Sequence, residues 1–147
     1  MIAIGSDHAG YELKQQLTQY FKEQGIPFED FGTDGLASVD YPDYGIKVGE
    51  AVATGKYEFG IVICGTGIGI SISANKVKGV RAALIYDENT AKLAKQHNNA
   101  NVIALGGRTH PFEMAVKLVE AFRNEVFETR HQRRLDKLAH YEKEHSK

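Results

Sequence analysis

A single cysteine, Cys64, runs directly into Gly65-Thr66-Gly67-Ile68-Gly69. Three glycines in five residues let a chain turn tightly with its amides facing inward, and at a helix start such amides bind an oxyanion or a phosphate. The positive end of that helix would favour a thiolate at Cys64, which serves as base or nucleophile. A lone cysteine closing an apolar segment is otherwise a small hydrophobe, and the adjoining glycine turn is what shifts the reading toward chemistry. Ser6-Asp7-His8 and Gly106-Gly107-Arg108 follow apolar segments in the same manner, and His97-Asn98 precedes the last of them. His97 is read at the same edge, as a candidate acid or base, although a histidine in such polar company is more commonly a solvated surface residue. Arg130-His131-Gln132-Arg133-Arg134 is a compact basic cluster. Arg130 and Arg134 share a helical face and can hold a phosphate there, against the plainer reading of a solvated face paired with Glu128 and Asp136.

Spacing disposes of several rivals. A dinucleotide loop needs Gly-x-Gly-x-x-Gly with an acid about 20 residues on, a place Asp87 would suit, but Ile70 stands at the third glycine and the unit is not the first of the chain. A P-loop needs Gly-Lys-Ser or Gly-Lys-Thr, which does not follow. A cysteine phosphatase wants an arginine about six residues beyond its nucleophile, and Ile70 is there instead. The histidines show no His-x-x-x-His spacing and the one cysteine allows no Cys-x-x-Cys, so no metal is expected.

These groups need elements to position them. Apolar runs at 2–4, 59–64, 82–86 and 102–105 read as buried strands, with 28–31 as another. Between them lie helical patterns: Leu13, Leu17, Tyr20 and Phe21 on one face with Gly25 as stop, a helix from Tyr41-Pro42 to about Thr54, one from about Ile68, one capped by Asp87 and reaching about His97, and one opened by Pro111 that presents Met114, Leu118, Ala121 and Phe122. Five strands alternating with helices predict an α/β three-layer domain on a five-stranded parallel sheet, whose ligands bind beyond the carboxyl ends of the strands. Residues 128–147 are strongly charged, with Leu135, Leu138 and Tyr141 as a thin apolar stripe suited to a partner subunit.

The chain has 147 residues, enough for one domain over 1–147. Its net charge of −1 gives no global attraction to nucleic acid or an anionic membrane. One cysteine, no apolar run near the ~20 residues of a membrane span and no signal-like start place it in the cytoplasm as an expectation.

Taken in order, Ser6-Asp7-His8-Ala9-Gly10, Asp40-Tyr41-Pro42, Cys64 to Ser71, Ala74-Asn75-Lys76, Gln96-His97-Asn98, Asn101-Val102 and Arg130-His131-Gln132 closely resemble the type B ribose-5-phosphate isomerases, grouped with galactose-6-phosphate and allose-6-phosphate isomerases. The resemblance runs from residue 2 to about 138. It implies a Rossmann-like fold, a homodimer or a dimer of dimers with sites at the subunit interface, and interconversion of ribose 5-phosphate and ribulose 5-phosphate without a cofactor, in the pentose phosphate pathway. By the same resemblance Cys64 is the base, His97 assists ring opening with Asp7 nearby, and Thr66 handles protons on the sugar oxygens. The backbone of Gly65, Thr66, Gly67, Ile68 and Gly69 would stabilise the enediolate, and His8, Asn98, Arg108, Arg130 and Arg134 would bind substrate or phosphate. Relatives that use a carboxylate base carry it in the following helix, where this chain has Ile72-Ser73-Ala74, which points to the cysteine branch. Six-carbon preference and a non-catalytic sugar-phosphate-binding module are the alternatives, since fold alone does not establish turnover.

Overall fold

Three apolar segments are buried at every residue and form the middle of one parallel sheet: β1 (Ile2–Ser6), β3 (Phe59–Cys64) and β5 (Val102–Gly106). The computed structural model describes residues 1–146. Two three-residue strands, β2 (Phe28–Asp30) and β4 (Ala82–Leu84), close the edges in the order β2-β1-β3-β5-β4, all pairs parallel. Both edges stop short of the expected ranges, although bonding to the neighbour continues past β2, where Phe31 donates to Ile4, Ser6 to Gly32 and Thr33 to Ser6. Beyond β4 the Ile85 amide still reaches Ala104, and Tyr86 is already exposed.

Strand side chains alternate between two helical layers. Ile2, Ile4, Ile61, Ile63, Ile103 and Leu105 face α1 (Tyr11–Gln24), α4 (Glu88–Gln96) and α5 (Phe112–Arg123). Ala3, Val62, Cys64, Val102 and Ala104 face α2 (Tyr41–Ala53) and α3 (Ile68–Asn75). The second side is built from small residues. Gly45 lies where a Cβ would stand 2.8 Å from Cβ of Ser73, and Gly49 where it would stand 3.0 Å from Val77, so the glycines that weaken α2 as a helix are what let it approach α3.

Helix ends follow the expected chemistry. Gly25 ends α1 at φ +68°, and Asp87 forms a capping box with Thr90. Pro111 is the residue before α5 rather than its first, and the buried face of α5 is Ala115, Leu118, Val119 and Phe122, with Met114 and Ala121 on its flanks. Lys14, an unexpected core residue 1% exposed, sends Nζ to Asp30 at 2.6 and 2.8 Å. Asp30 also accepts from the Gly32 amide, tying the end of β2 to α1. The last helix, α6 (Gln132–His145), buries Leu135 but leaves Leu138 and Tyr141 more than half exposed along a groove of about 470 Å³ that also contains Val80, Ala82 and Ala100. Among the described residues no helix is long and apolar enough to cross a membrane.

Candidate active site

The chain leaves β1 for β2 on one side, then crosses β1 to reach β3, so its direction of travel reverses between β1 and β3 and opens a crevice at their carboxyl ends. Ser6 pairs with Ile63, and the Asp7 amide donates to the Ile63 carbonyl, which sets Asp7 beside Cys64. The ladder on the other side continues past the strands, with Gly107 donating to Cys64 and Arg108 to Gly65. Asp7, His8, the loop from Cys64 to Gly69 and Arg108 therefore gather at one edge, as the sequence predicts.

Each is held for a reason visible in its bonds. Cys64 is 5% exposed, and its sulfur accepts the Gly67 amide at 3.2 Å. Gly67 makes this turn at φ +82° with its α-carbon pressed on Leu105, where a side chain would meet backbone. Thr66 caps the turn locally by accepting from Ile68. Among the described residues the amides of Gly69 and Ile70 have no acceptor, as the first turn of a helix leaves them, and they remain available to an anion. Asp7 accepts from Ala9 and Gly10 through Oδ1, which closes the β1 to α1 turn and leaves Oδ2 to the crevice. His8 accepts from the Val39 amide on Nδ1, so its proton is on Nε2. The Arg108 side chain lies over Gly65, within 3.3 Å of where a Cβ would be. Tyr41, read from sequence only as a helix start, lays its ring on Gly69 more closely still, 2.7 Å from where a Cβ would be.

His97 and Asn98 are not at this edge, contrary to the expectation that they share it. Helix α4 runs against the strands, so its end delivers them to the amino edge of the sheet. The following residues fix the place: Asn101 donates to Arg81 and accepts from Gly60, at the starts of β4 and β3. From there to Cys64 the register runs four residues, about 13 Å along the strands. The turn is clamped by Arg81, whose Nε donates to the carbonyl of Asn99, a residue at φ +43°. Glu128 donates its amide to Gln96, which brings the basic cluster to the same place.

The expected shared helical face is not formed: Arg130 belongs to a single 3₁₀ turn, Thr129–His131, whereas Arg134 lies on α6. Arg130 binds the Glu128 carboxylate, much as the plainer reading of the sequence has it. Arg134 donates to Nδ1 of His131, whose ring lies against that of His97, tilted by 40° with centroids 4.4 Å apart. His131 therefore carries its proton on Nε2, which is buried and without an acceptor. Burial first, then Arg130, His97 and Arg134, hold its pKa below the ordinary 6.5, against the pull of Glu128. His97, Glu128 and His131 place polar atoms within 4.8 Å of one another, a grouping hidden from sequence spacing because 97 lies far from 128. With one arginine on the carboxylate and another on the imidazole, the grouping suits an anion better than a cation.

One chain thus carries two half-sites on opposite edges of a doubly wound sheet: a thiol in an amide-lined crevice, and a pair of histidines ringed by arginines. A sequence model of the Ribose/Galactose Isomerase family matches residues 2–138. Ribose-5-phosphate isomerase B of Escherichia coli is 42% identical over 138 residues, 93% of each chain. The solved ribose-5-phosphate isomerase B of Clostridium thermocellum superposes with a TM-score of 0.96 at 47% identity over 99% of both chains. That of Mycoplasma genitalium, solved with bound ribulose-5-phosphate, does so with a TM-score of 0.92 at 44% identity over 97% of this chain and 96% of that chain. The chain belongs to the ribose/galactose isomerase family.

Proposed function

We propose that this chain is a ribose-5-phosphate isomerase that interconverts ribose 5-phosphate and ribulose 5-phosphate through an enediolate, with Cys64 as the base. The observation that carries the reading is the Cys64 sulfur, held by the Gly67 amide at the carboxyl end of β3 beside the crevice, in a chain matched along nearly its whole length by isomerases of that name. Cys64 takes the proton from the second carbon of the open-chain aldose. Charge then develops on the sugar oxygens, where the amides of the Gly65 to Gly69 loop can receive it without reorganising. Thr66 and the free oxygen of Asp7 serve the hydroxyl protons, one oxygen gaining and the other losing a proton as the carbonyl moves. Return of the proton to the first carbon gives the ketose. A proton shuttle of this kind asks for no redox group.

Ring opening is assigned to His97, with Asn98 as a substrate contact, and phosphate binding to His8, Arg108, Arg130 and Arg134. The half-sites lie about 13 Å apart along the strands within one chain, so this assignment needs a second copy whose amino-edge half-site faces the crevice of the first. The exposed stripe of α6 and the adjoining groove supply an apolar surface for that contact. A homodimer with two shared sites follows, and its symmetry makes the two equivalent.

The test is ribulose 5-phosphate formation from ribose 5-phosphate by the purified chain in a buffer containing a chelator. Rapid turnover supports the reading. Turnover of allose 6-phosphate or galactose 6-phosphate alone would move the assignment to a six-carbon isomerase, and binding without turnover would leave a sugar-phosphate-binding module.

A further inference from the structure

The carboxylate of Glu128 lies among the cations assigned above to the sugar phosphate. Its Oε1 accepts from Nε and Nη2 of Arg130 at 3.2 and 3.0 Å and stands 3.8 Å from Nε2 of His131. That Nε2–H belongs to a side chain 10% exposed and has no acceptor, so it remains a donor awaiting an anion. No structural task holds the carboxylate there. The bond that fastens residue 128 to α4 comes from its backbone amide to Gln96, and the side chain makes no capping bond to the 3₁₀ turn it precedes. Among the described residues its polar partners are groups of the proposed anion site.

We propose that Glu128 is an internal competitor, a carboxylate that occupies the Arg130 and His131 anion site in the free protein and yields it to the phosphate of the substrate. The inference rests on the reading that Arg130 holds that phosphate. A phosphate monoester brings nearly two charges and three acceptor oxygens, whereas the carboxylate brings one charge and spends a single oxygen on Arg130. Exchange therefore favours phosphate. A sugar acid, offering only another carboxylate, gains nothing by displacing Glu128, so the same residue selects for phosphorylated ligands.

Calorimetric binding of inorganic phosphate to the full chain at low, constant ionic strength tests this with Glu128→Gln and Arg130→Ala, whether or not the chain turns over a sugar. Glu128→Gln should tighten phosphate roughly two- to fivefold, the range an exposed ion pair is worth, and lower the KM for ribose 5-phosphate in step. A residue with only a structural role would loosen the site when altered. Unchanged or weaker phosphate binding in Glu128→Gln, beside clear weakening in Arg130→Ala, overturns the competitor and leaves the phosphate assignment standing. Unchanged binding in Arg130→Ala overturns both.

Discussion

At Cys64 the two roles open to a buried thiol, packing and chemistry, predict different losses. Cys64→Ala removes one small side chain from the α2 and α3 side of the sheet and should leave the thermal midpoint nearly unchanged. As a base its loss should lower turnover by about 10²- to 10⁴-fold or more; near-normal rates in a folded variant would take the sulfur out of the mechanism. His131 makes a different prediction. Because its folded pKa lies below 6.5, the unfolded chain takes up this proton at a pH where the folded chain does not. The stability it supports is fully present above 6.5, declines as pH falls below that value, and levels off once the folded imidazole also protonates. Urea midpoints measured between about pH 7.5 and 5 should therefore fall more for the natural chain than for His131→Asn, which keeps an acceptor for Arg134. Equal declines would mean that the proton goes elsewhere.

Two glycines separate stability from function at the level of elements. Gly10 stands where a Cβ would come within 2.5 Å of the Ile63 carbonyl, so α1 can enter over β3 only without a side chain there. Gly10→Ala should cost about 1–3 kcal/mol by overpacking against backbone that cannot yield. At Gly65 the nearest obstacle is the flexible Arg108 side chain, 3.3 Å from where a Cβ would stand, with Ala9 at 3.7 Å. Gly65→Ala should fold with an unchanged melting temperature and show a raised KM, and a matching loss of stability would mean that the loop is part of the core. The helices and strands themselves were legible: apolar runs, Gly25 and Asp87 mark them within a few residues. Lengths at β2 and β4 were not, because each edge strand stops before its one neighbour does, at a point set by pairing with a strand that lies a whole helix away in the chain.

For the whole molecule, the separation of the half-sites predicts complementation. Cys64→Ala and His97→Asn homodimers should each be nearly inactive. A mixed dimer places both lesions in one shared site and none in the other, so unfolding and refolding an equal mixture should restore about a quarter of natural activity: half the dimers, each with one good site of two. No recovery would put Cys64 and His97 of one chain in the same site and dissolve the argument for a shared one.

Local chemistry by itself determined that there is a glycine turn after Cys64, that polar groups end the first, third and fifth strands, and that those strands are buried and parallel. Each follows from neighbours in the chain, where residue type and spacing act directly. Only the tertiary structure decided which edge each group occupies. His97 follows a helix that runs against the strands, and so it lies at the opposite end of the sheet from Cys64 although both adjoin apolar strands. The meeting of His97 with Glu128 and His131, the approach of α2 to α3 through Gly45 and Gly49, and the burial of Lys14 against Asp30 all join residues distant in sequence. Their partners are selected by packing, which no single segment carries.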